Sequence, residues 1–229
     1  MKSLILLHGA LGSAAQLKGL LPELRDHFDV HVPILPGHGG KAIPEAGYSF
    51  VAFADFVLSY MDEQSIEKAD FFGYSLGGYL ALILAGKAPD RVGRIITLGT
   101  KFDWNTLSAS REVKMLDPDT MEQKIPIFTE FLEVLHHPVP WRTMVQETAS
   151  FILRLGEKPD LSAAELKAIN HNCLLFVGEK DNSAGVEATR TAAMCIQNSE
   201  FRVLNDTPHP IEKVDISILC GSIVKFLKK

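Results

Sequence analysis

The 229-residue chain has little of several features that mark particular classes of protein. Acidic residues outnumber basic ones by 28 to 23, so the net charge of −5 provides no basic field that would attract nucleic acid. No apolar run approaches the ~20 residues that a membrane-spanning helix needs. We therefore expect a soluble protein with one well-buried core, no nucleic-acid partner and no membrane association.

Cysteine is also scarce, and the three cysteines are Cys173, Cys195 and Cys220. They are odd in number and far apart, without metal-ligand spacing, which indicates free buried thiols in a reducing compartment. The apolar stretch that ends at Leu7 is too short for a signal peptide and has no cleavage site. The expected location is the cytoplasm.

Strand-like apolar runs alternate with helical patterns, which predicts an α/β fold with a doubly wound, mostly parallel sheet of about six strands. The predicted strands are Ser3–Leu7, Val30–Ile34, Ala69–Phe72, Arg94–Leu98, Cys173–Val177 and Phe201–Leu204. The predicted helices are Ala14–Asp26, Phe50–Gln64, Leu76–Lys87, Val186–Ile196 and Val214–Leu227. In such sheets, ligands bind beyond the carboxyl ends of the strands.

The alternation breaks over residues 102–170, where helical periodicity continues without a strand. Asp119 and Ser162 each begin a pattern typical of a helix start, and apolar residues from Trp141 to Leu155 recur at helical spacing. We expect residues 1–101 and 171–229 to form one core domain. Residues 102–170 are expected to form a helical insertion folded over the strand ends.

A G-x-S-x-G motif, Gly73-Tyr74-Ser75-Leu76-Gly77, lies between a predicted strand and a predicted helix. This is the context of a nucleophile elbow, in which a strained turn exposes a serine. Glycines on both sides of the serine let strand and helix approach closely. The motif predicts Ser75 as a catalytic nucleophile.

A serine nucleophile needs a base, and His209 is the best candidate among the eight histidines. It follows the last predicted strand, between two prolines that restrict its loop. Asp181 follows the fifth predicted strand and gives the order Ser, Asp, His that this hydrolase arrangement uses. Asp103 is an alternative acid, and Glu179 and Asp206 are weaker ones.

An acyl-transfer site also needs two backbone N–H groups that stabilise an oxyanion. Leu76, directly after the nucleophile, is predicted to provide one. The loop after the first strand is predicted to provide the other, from Ala10 or, as a second choice, Leu11. His8 and His38 are interpreted as structural residues of neighbouring loops.

No metal is expected, although His136, His137 and His171 raise the question. Adjacent histidines point in different directions on a helix, and no carboxylate lies at ligand spacing from them.

Several segments together resemble the α/β-hydrolase superfamily. They are Leu7-His8-Gly9, Leu35-Pro36-Gly37-His38-Gly39, Gly73–Gly78, Gly178-Glu179-Lys180-Asp181 and Pro208-His209-Pro210. The resemblance covers nearly the whole chain and implies Ser75, Asp181 and His209 as nucleophile, acid and base. It also implies that residues 102–170 form the lid, and it implies no cofactor. In this family the catalytic histidine commonly follows a glycine, whereas Pro208 precedes it here.

Two of these segments are also similar to the menaquinone-pathway synthase branch, a lyase that uses the same three residues. That branch usually has an arginine directly after the elbow, where this chain has Tyr79. The function expected here is therefore a serine hydrolase that cleaves an ester or related acyl bond of a small molecule. The lyase, and a slow-turnover ligand-binding receptor on the same fold, are the alternatives.

Substrate choice is expected to depend on the insertion. Leu11, Trp141 and Met144 are the candidate substrate contacts, although packing of the insertion on the core would explain the apolar residues equally well. The sequence leaves the oligomeric state, monomer or dimer, open.

Overall fold

A sheet of six parallel strands forms the centre of the molecule in the computed structural model, which describes residues 1–229. The strands are β1 (Ser3–Leu7), β2 (Asp29–His31), β3 (Ala69–Tyr74), β4 (Val92–Leu98), β5 (Cys173–Gly178) and β6 (Ser199–Leu204). Their order is β2-β1-β3-β4-β5-β6. All five pairings are parallel, so every carboxyl end lies at one edge. The predicted six-stranded α/β fold is confirmed.

Ten α-helices connect and cover the strands. They are α1 (Leu21–Arg25), α2 (Phe50–Glu63), α3 (Leu76–Lys87), α4 (Thr106–Val113), α5 (Pro118–Lys124), α6 (Pro126–His136), α7 (Trp141–Glu157), α8 (Ala163–Ala168), α9 (Val186–Cys195) and α10 (Ile216–Leu227). Short 3-10 helices cover Ala14–Leu20, Pro89–Arg91 and Ile211–Lys213. No helix is both long and apolar enough to cross a membrane.

The sheet is buried on both faces because alternate strand residues point in opposite directions. In β1, Ile5 and Leu7 join one apolar cluster, whereas Leu4 and Leu6 join another. The first cluster includes residues of α2, α3 and α9, and the second includes residues of α1 and α10. This double burial explains why the central strands are continuous apolar runs in the sequence.

Five helices, α4 to α8, lie between β4 and β5 and form the insertion. Buried side chains of this segment, among them Leu132, Val145 and Phe151, belong to the same apolar cluster as one face of the sheet. The insertion is therefore packed on the sheet rather than built around a core of its own. Its role as a lid stays a prediction.

Helix starts in the insertion follow the expected capping chemistry, with one correction. Ser162 caps α8, and the Glu165 carboxylate accepts a hydrogen bond from the Ser162 N–H group, as the sequence pattern predicts. For α5 the predicted start at Asp119 is wrong, because Asp117 accepts the hydrogen bond from the Thr120 N–H group (2.8 Å). Pro118 then occupies the first turn, where its missing N–H group costs nothing.

Two other predicted elements differ from the structure. Strand β2 ends at His31, although the prediction continued to Ile34. Pro33 provides no N–H group for a ladder, and β2 is an edge strand that pairs only with β1. The predicted helix from Ala14 to Asp26 is a 3-10 helix followed by the short α1, whose start contains Pro22.

Candidate active site

Ser75 lies on the sharp turn between β3 and α3, at the carboxyl edge of the sheet. Its φ of 52° and ψ of −115° put a residue with a side chain in a region that favours glycine. Two bonds hold this backbone: the Ser75 N–H group donates to the Leu98 carbonyl (2.8 Å), and the Thr100 hydroxyl donates to the Ser75 carbonyl (3.0 Å). Strain held in this way is typical of a nucleophile elbow.

The close approach of α3 to the sheet requires glycine at two positions. A Cβ atom on Gly73 would overlap the backbone of Gly77, and one on Gly77 would overlap the Leu7 carbonyl. The start of α3 therefore lies directly against β1 and β3. Leu76 is the first residue of α3, so its N–H group has no acceptor within the helix, and the residue lines the cavity beside Ser75.

His209 and Asp181 form an acid–base pair beside the elbow. His209 Nδ1 is 2.8 Å from Asp181 Oδ2, and the Asp181 side chain is almost completely buried. The other oxygen of Asp181 accepts hydrogen bonds from the N–H groups of Ser183 (3.0 Å) and Ala184 (2.9 Å). These bonds fix the carboxylate and leave His209 Nε2 free to face the cavity.

The alternative carboxylates have other partners. Asp103 contacts Lys101 Nζ (2.9 Å) and is half exposed, while Asp206 pairs with Lys180. Glu179 accepts from the Asp206 N–H group (2.9 Å). The geometry therefore favours Asp181, among the four carboxylates, as the partner of His209.

Ser75 and His209 line one cavity, but the Ser75 hydroxyl makes no hydrogen bond in the structure. Free enzymes commonly have long catalytic hydrogen bonds that tighten only when substrate is bound. The arrangement is therefore compatible with proton transfer from Ser75 to His209 Nε2.

Three residues that the sequence analysis did not assign to the site position its parts. The Tyr74 hydroxyl donates to the His209 carbonyl (3.0 Å), which fixes the histidine loop to the elbow strand. Gly99 has a φ of 61°, and a Cβ atom there would come within 3.0 Å of Asp181 and 3.3 Å of His209. Thr100 holds the elbow backbone as described. Tyr74 is inside the motif, but nothing in the sequence singles out Gly99 or Thr100.

The loop after β1 is a turn in which the Gly12 N–H group donates to the Gly9 carbonyl (3.2 Å). Its central residues, Ala10 and Leu11, line the cavity with Ser75 and Leu76. Neither the Ala10 nor the Leu11 N–H group donates to an acceptor within the protein. These groups and the N–H group of Leu76 can therefore serve an oxyanion.

Two buried histidines support this loop from behind. His8 Nδ1 donates to the Gly9 carbonyl (2.9 Å), and Nε2 accepts from the Leu35 N–H group (3.1 Å). Burial lowers the pKa of His8 to about 4. His38 Nδ1 donates a hydrogen bond to the Pro36 carbonyl (3.0 Å), and the His38 ring stacks on Tyr48. Burial lowers the pKa of His38 to about 3. Both histidines have the structural positions that the sequence predicts.

A cavity of about 1000 Å³ opens over these residues. Its floor contains Ala10, Leu11, Ser75, Leu76 and His209. Apolar side chains from the core and the insertion form much of its wall: Phe50, Tyr79, Trp104, Met115, Leu116, Phe128, Phe131, Leu135, Phe151, Ile152 and Leu155. Charged residues at its wall are Lys18, Lys101, Glu112, Lys180 and Glu212. The site can hold an apolar group against the elbow.

The three predicted substrate contacts have different positions. Leu11 lies on the cavity wall, but Trp141 and Met144 do not. Both are buried in the core cluster at the N-terminal end of α7, whereas the residues of α7 that line the cavity lie further along the helix, between Thr148 and Leu155. The structure therefore gives no support to Trp141 or Met144 as substrate contacts.

The remaining histidine and cysteine side chains form no metal centre. No group of three His, Cys, Asp or Glu side chains is arranged to hold a metal ion. His171 Nε2 bonds the Pro89 carbonyl (3.0 Å), away from the cavity. All three cysteines are free thiols, and two of them, Cys173 and Cys220, are buried.

Known proteins resemble this chain in sequence. An uncharacterised hydrolase of Bacillus subtilis, YugF, is 23% identical over 249 residues, covering 99% of this chain and 90% of that protein. A pimeloyl-acyl-carrier-protein methyl ester esterase of Vibrio campbellii is 38% identical over 97 residues, which is 42% of this chain and 36% of the esterase.

Solved structures share the fold at low sequence identity. NosK from Streptomyces actuosus has a TM-score of 0.84 at 18% identity, covering 99% of this chain and 97% of that one. A thermophilic esterase from Thermogutta terrifontis has a TM-score of 0.78 at 24% identity, covering 100% of this chain and 90% of that one. MenH from S. aureus has a TM-score of 0.78 at 21% identity, covering 99% of this chain and 93% of that one.

The family model of the α/β hydrolase fold matches residues 2–126, which include β1, the loop after it, the turn at Ser75 and the start of the insertion. The sheet order, the strained serine turn and the acid–base pair after β5 and β6 agree with that match. The protein is a hydrolase of the α/β-hydrolase fold family.

Proposed function

We propose that the protein is a serine hydrolase that cleaves an ester or related acyl bond of a small molecule through an acyl-enzyme. The observation that carries this proposal is the bond between His209 Nδ1 and Asp181 Oδ2 (2.8 Å), at a cavity into which Ser75 opens on its strained turn. Because Asp181 occupies Nδ1, the free nitrogen of the imidazole is Nε2, the one that a nucleophilic serine needs.

In the first half of the reaction, His209 Nε2 takes the proton of Ser75 as the hydroxyl attacks the carbonyl carbon. Asp181 keeps the imidazole in the productive tautomer and stabilises its protonated form. His209 then gives the proton to the leaving alcohol, and the acyl group stays on Ser75. In the second half, His209 activates a water molecule that releases the acid and restores the serine.

The tetrahedral intermediates place negative charge on the former carbonyl oxygen. The N–H groups of Leu76 and Ala10 are the proposed donors, and each is worth roughly 3–4 kcal/mol of transition-state stabilisation. Leu76 adds the favourable end of the α3 dipole. The strained turn at Ser75 supports this assignment, because such a turn is typical of a nucleophile elbow and because Ser75 and Leu76 line the same cavity.

The cavity wall supports an apolar acyl or alkyl group as the part of the substrate next to the elbow. Phe128 and Phe131 of α6, and Phe151 of α7, contribute aromatic surface to it. Burying such a group gives about 25 cal/mol per Å² of apolar surface. The similarity to esterases in sequence and in structure supports the same class of substrate.

A lyase of the menaquinone-pathway type fits the cavity less well than a hydrolase does. Tyr79 stands where that branch usually has an arginine, and its hydroxyl accepts a hydrogen bond from the Leu161 N–H group (2.8 Å) while its ring stacks on Phe50. Lys101 is already paired with Asp103 and Glu112. The arginines of α7 are engaged outside the cavity: Arg142 by Asp119 and Glu122, and Arg154 by Glu147. Lys180 is paired with Asp206, and Lys18, which has no ion pair, is exposed. A polyanionic substrate would therefore meet one exposed lysine and no arginine.

The test combines fluorophosphonate labelling with a panel of esters of short to long acyl chains. Wild-type protein should be labelled at Ser75 and should turn over esters, with a preference that depends on acyl length. Ser75→Ala should lose labelling and turnover, and its Tm should stay within about 1 °C because the Ser75 hydroxyl makes no hydrogen bond.

A matched control is Ser183→Ala, which changes a serine at the cavity wall without removing the proposed nucleophile. Full activity in Ser75→Ala would contradict the assignment. Stoichiometric labelling together with capture of an ester and no product release would favour the receptor instead.

A further inference from the structure

His136, the last residue of α6, is completely buried and uses both ring nitrogens. Nδ1 accepts a hydrogen bond from the Gly39 N–H group (2.9 Å), and Nε2 donates to the Leu11 carbonyl (3.1 Å). These two bonds require the neutral tautomer with its proton on Nε2. Burial also lowers the pKa of His136, which favours that neutral form.

The Leu11 carbonyl belongs to the turn Gly9–Gly12 after β1, which contains the proposed oxyanion donor Ala10 and is called the oxyanion loop below. Leu11 has a φ of 57°, a region that residues with a Cβ atom seldom adopt. It is a central residue of the turn from Gly9 to Gly12, next to Ala10. A bond that fixes the Leu11 carbonyl therefore fixes the peptide that follows Leu11 and stabilises its left-handed conformation. The directions of the Ala10 and Leu11 N–H groups depend on that turn.

The other side chains that hold this loop belong to the core. His8 donates to the Gly9 carbonyl, and Gln16 accepts from the Gly9 N–H group (3.0 Å). His136 alone among the residues of the insertion makes a hydrogen bond to the loop. The same helix, α6, lines the cavity through Phe128, Phe131 and Leu135.

We propose that His136 is a positioning residue, which holds the oxyanion loop in its donor geometry and connects that loop to the helix lining the substrate cavity. This inference rests on the proposed function. His136 does not line the cavity, so its proposed action is through the Leu11 carbonyl and not through contact with substrate.

Two substitutions separate the two bonds of the ring. In His136→Asn the amide replaces the Nδ1 position, so an acceptor for Gly39 is kept and the donor to Leu11 is lost. In His136→Gln the longer amide reaches the Nε2 position, so the donor to Leu11 is kept. A positioning role through Leu11 predicts a defect in the Asn variant that the Gln variant restores.

Steady-state kinetics with a short-chain ester provide the first measurement. We expect kcat of His136→Asn to fall about 10-fold or more with KM within about 3-fold, because a displaced oxyanion donor acts on the transition state. His136→Gln should keep kcat within about 3-fold of wild type. Affinity for an alkyl boronic acid, which forms a tetrahedral adduct on the serine, should fall in parallel with kcat.

Amide hydrogen exchange gives a second measurement that needs no turnover. The probe is the Gly12 N–H group, which donates to the Gly9 carbonyl across the turn. Its exchange should be about 10-fold faster in His136→Asn than in wild type and near wild type in His136→Gln. Because exchange is measured without substrate, it decides the positioning role even if Ser75 proves unreactive. Failure of wild-type labelling would instead contradict the proposed function.

Two controls come from the same segment. Thr129→Ala removes a buried hydroxyl that bonds the Pro126 carbonyl (2.8 Å) within α6, so it lowers stability without touching the loop. His137→Asn changes the exposed neighbour. Both should leave kcat and loop exchange near wild type. The inference is overturned if the Asn and Gln variants lose kcat equally, or if their losses only follow the loss in Tm that Thr129→Ala also shows.

Discussion

The imidazole side chain is found in two contrasting environments in this protein, one at His209 and the other at the buried histidines His8, His38 and His136. His209 keeps 28% of its side chain exposed and faces a carboxylate at 2.8 Å. The other three are at most 1% exposed and bond only backbone groups. A carboxylate partner and access to the cavity permit proton transfer at His209, whereas burial among backbone partners holds the cluster neutral.

The buried rings also contact one another. The His38 ring centroid is 5.1 Å from that of His8 and 6.0 Å from that of His136. A proton on one ring would raise the cost of a proton on the next, which adds to the effect of burial. At this edge of the sheet, the three buried histidines therefore have structural roles, and His209 alone has the environment that the proposed proton transfer requires.

The largest expected effect comes from His209→Gln, which removes the proposed base. Without it the Ser75 proton has no acceptor, so kcat/KM should fall about 10⁵-fold, measured with the preferred ester of the panel. The free energy of unfolding should change by less than about 1 kcal/mol, because the side chain is partly exposed.

His38→Gln is the reciprocal substitution. Loss of its packing against Tyr48 should cost about 1–3 kcal/mol in stability, while kcat/KM of the folded protein stays within about 10-fold. If the two variants showed similar losses of both quantities, the division between chemical and structural histidines would be wrong.

A smaller effect is expected when the partner of His209 is changed. Asp181→Asn should reduce kcat/KM about 10⁴-fold, because an amide in place of the carboxylate stabilises the unproductive tautomer. Asp103→Asn is the matched control on the neighbouring loop, where the carboxylate contacts Lys101 instead. A larger loss for Asp103→Asn than for Asp181→Asn would reverse the assignment of the acid.

The smallest of these effects is a dependence of stability on pH. Burial lowers the pKa of His8 to about 4 and that of His38 to about 3, whereas both are near 6.5 in the unfolded chain. The unfolded chain therefore binds more protons below pH 6.5, and stability falls as the pH decreases. From pH 7.5 to pH 5, each of the two histidines should account for about 2 kcal/mol of lost unfolding free energy.

Urea unfolding at several pH values in this range measures that slope. His38→Asn removes one titrating ring and should make the slope shallower by about half of the combined contribution of His8 and His38, whatever its absolute stability. Equal slopes in the wild type and the variant would show that His38 does not stay neutral in the folded protein.

Much of the fold could be predicted from the periodicity of apolar residues along the sequence. The buried central strands are continuous apolar runs, and α3 has its predicted bounds, Leu76–Lys87. Capping chemistry correctly starts α8 at Ser162. The bounds of the edge strand β2 could not be predicted correctly. This strand is short and only partly buried, and a proline follows it closely, so its apolar pattern is weak.

The candidate site residues Ser75, Asp181 and His209 could be singled out from the sequence because they follow strand ends in a fixed order, and their catalytic roles stay a prediction. The residues that hold the neighbouring backbone could not be singled out. Thr100 and His136 act through single bonds to the backbone of distant residues, Ser75 and Leu11, and no local pattern encodes such a contact. Trp141 and Met144 fit an apolar stripe, but periodicity does not distinguish a residue facing a cavity from one facing the core.

Strand β6, which carries the His209 loop, is the edge strand beyond β5, and all its residues are only partly buried. Ser75 instead follows β3, which is buried throughout in the interior of the sheet. Edge segments with few buried groups open at lower free energy than the centre of a domain. A partial opening of this edge would displace His209, the proposed base, in an otherwise folded protein. Heating is therefore expected to abolish activity at a lower temperature than the one at which the core unfolds.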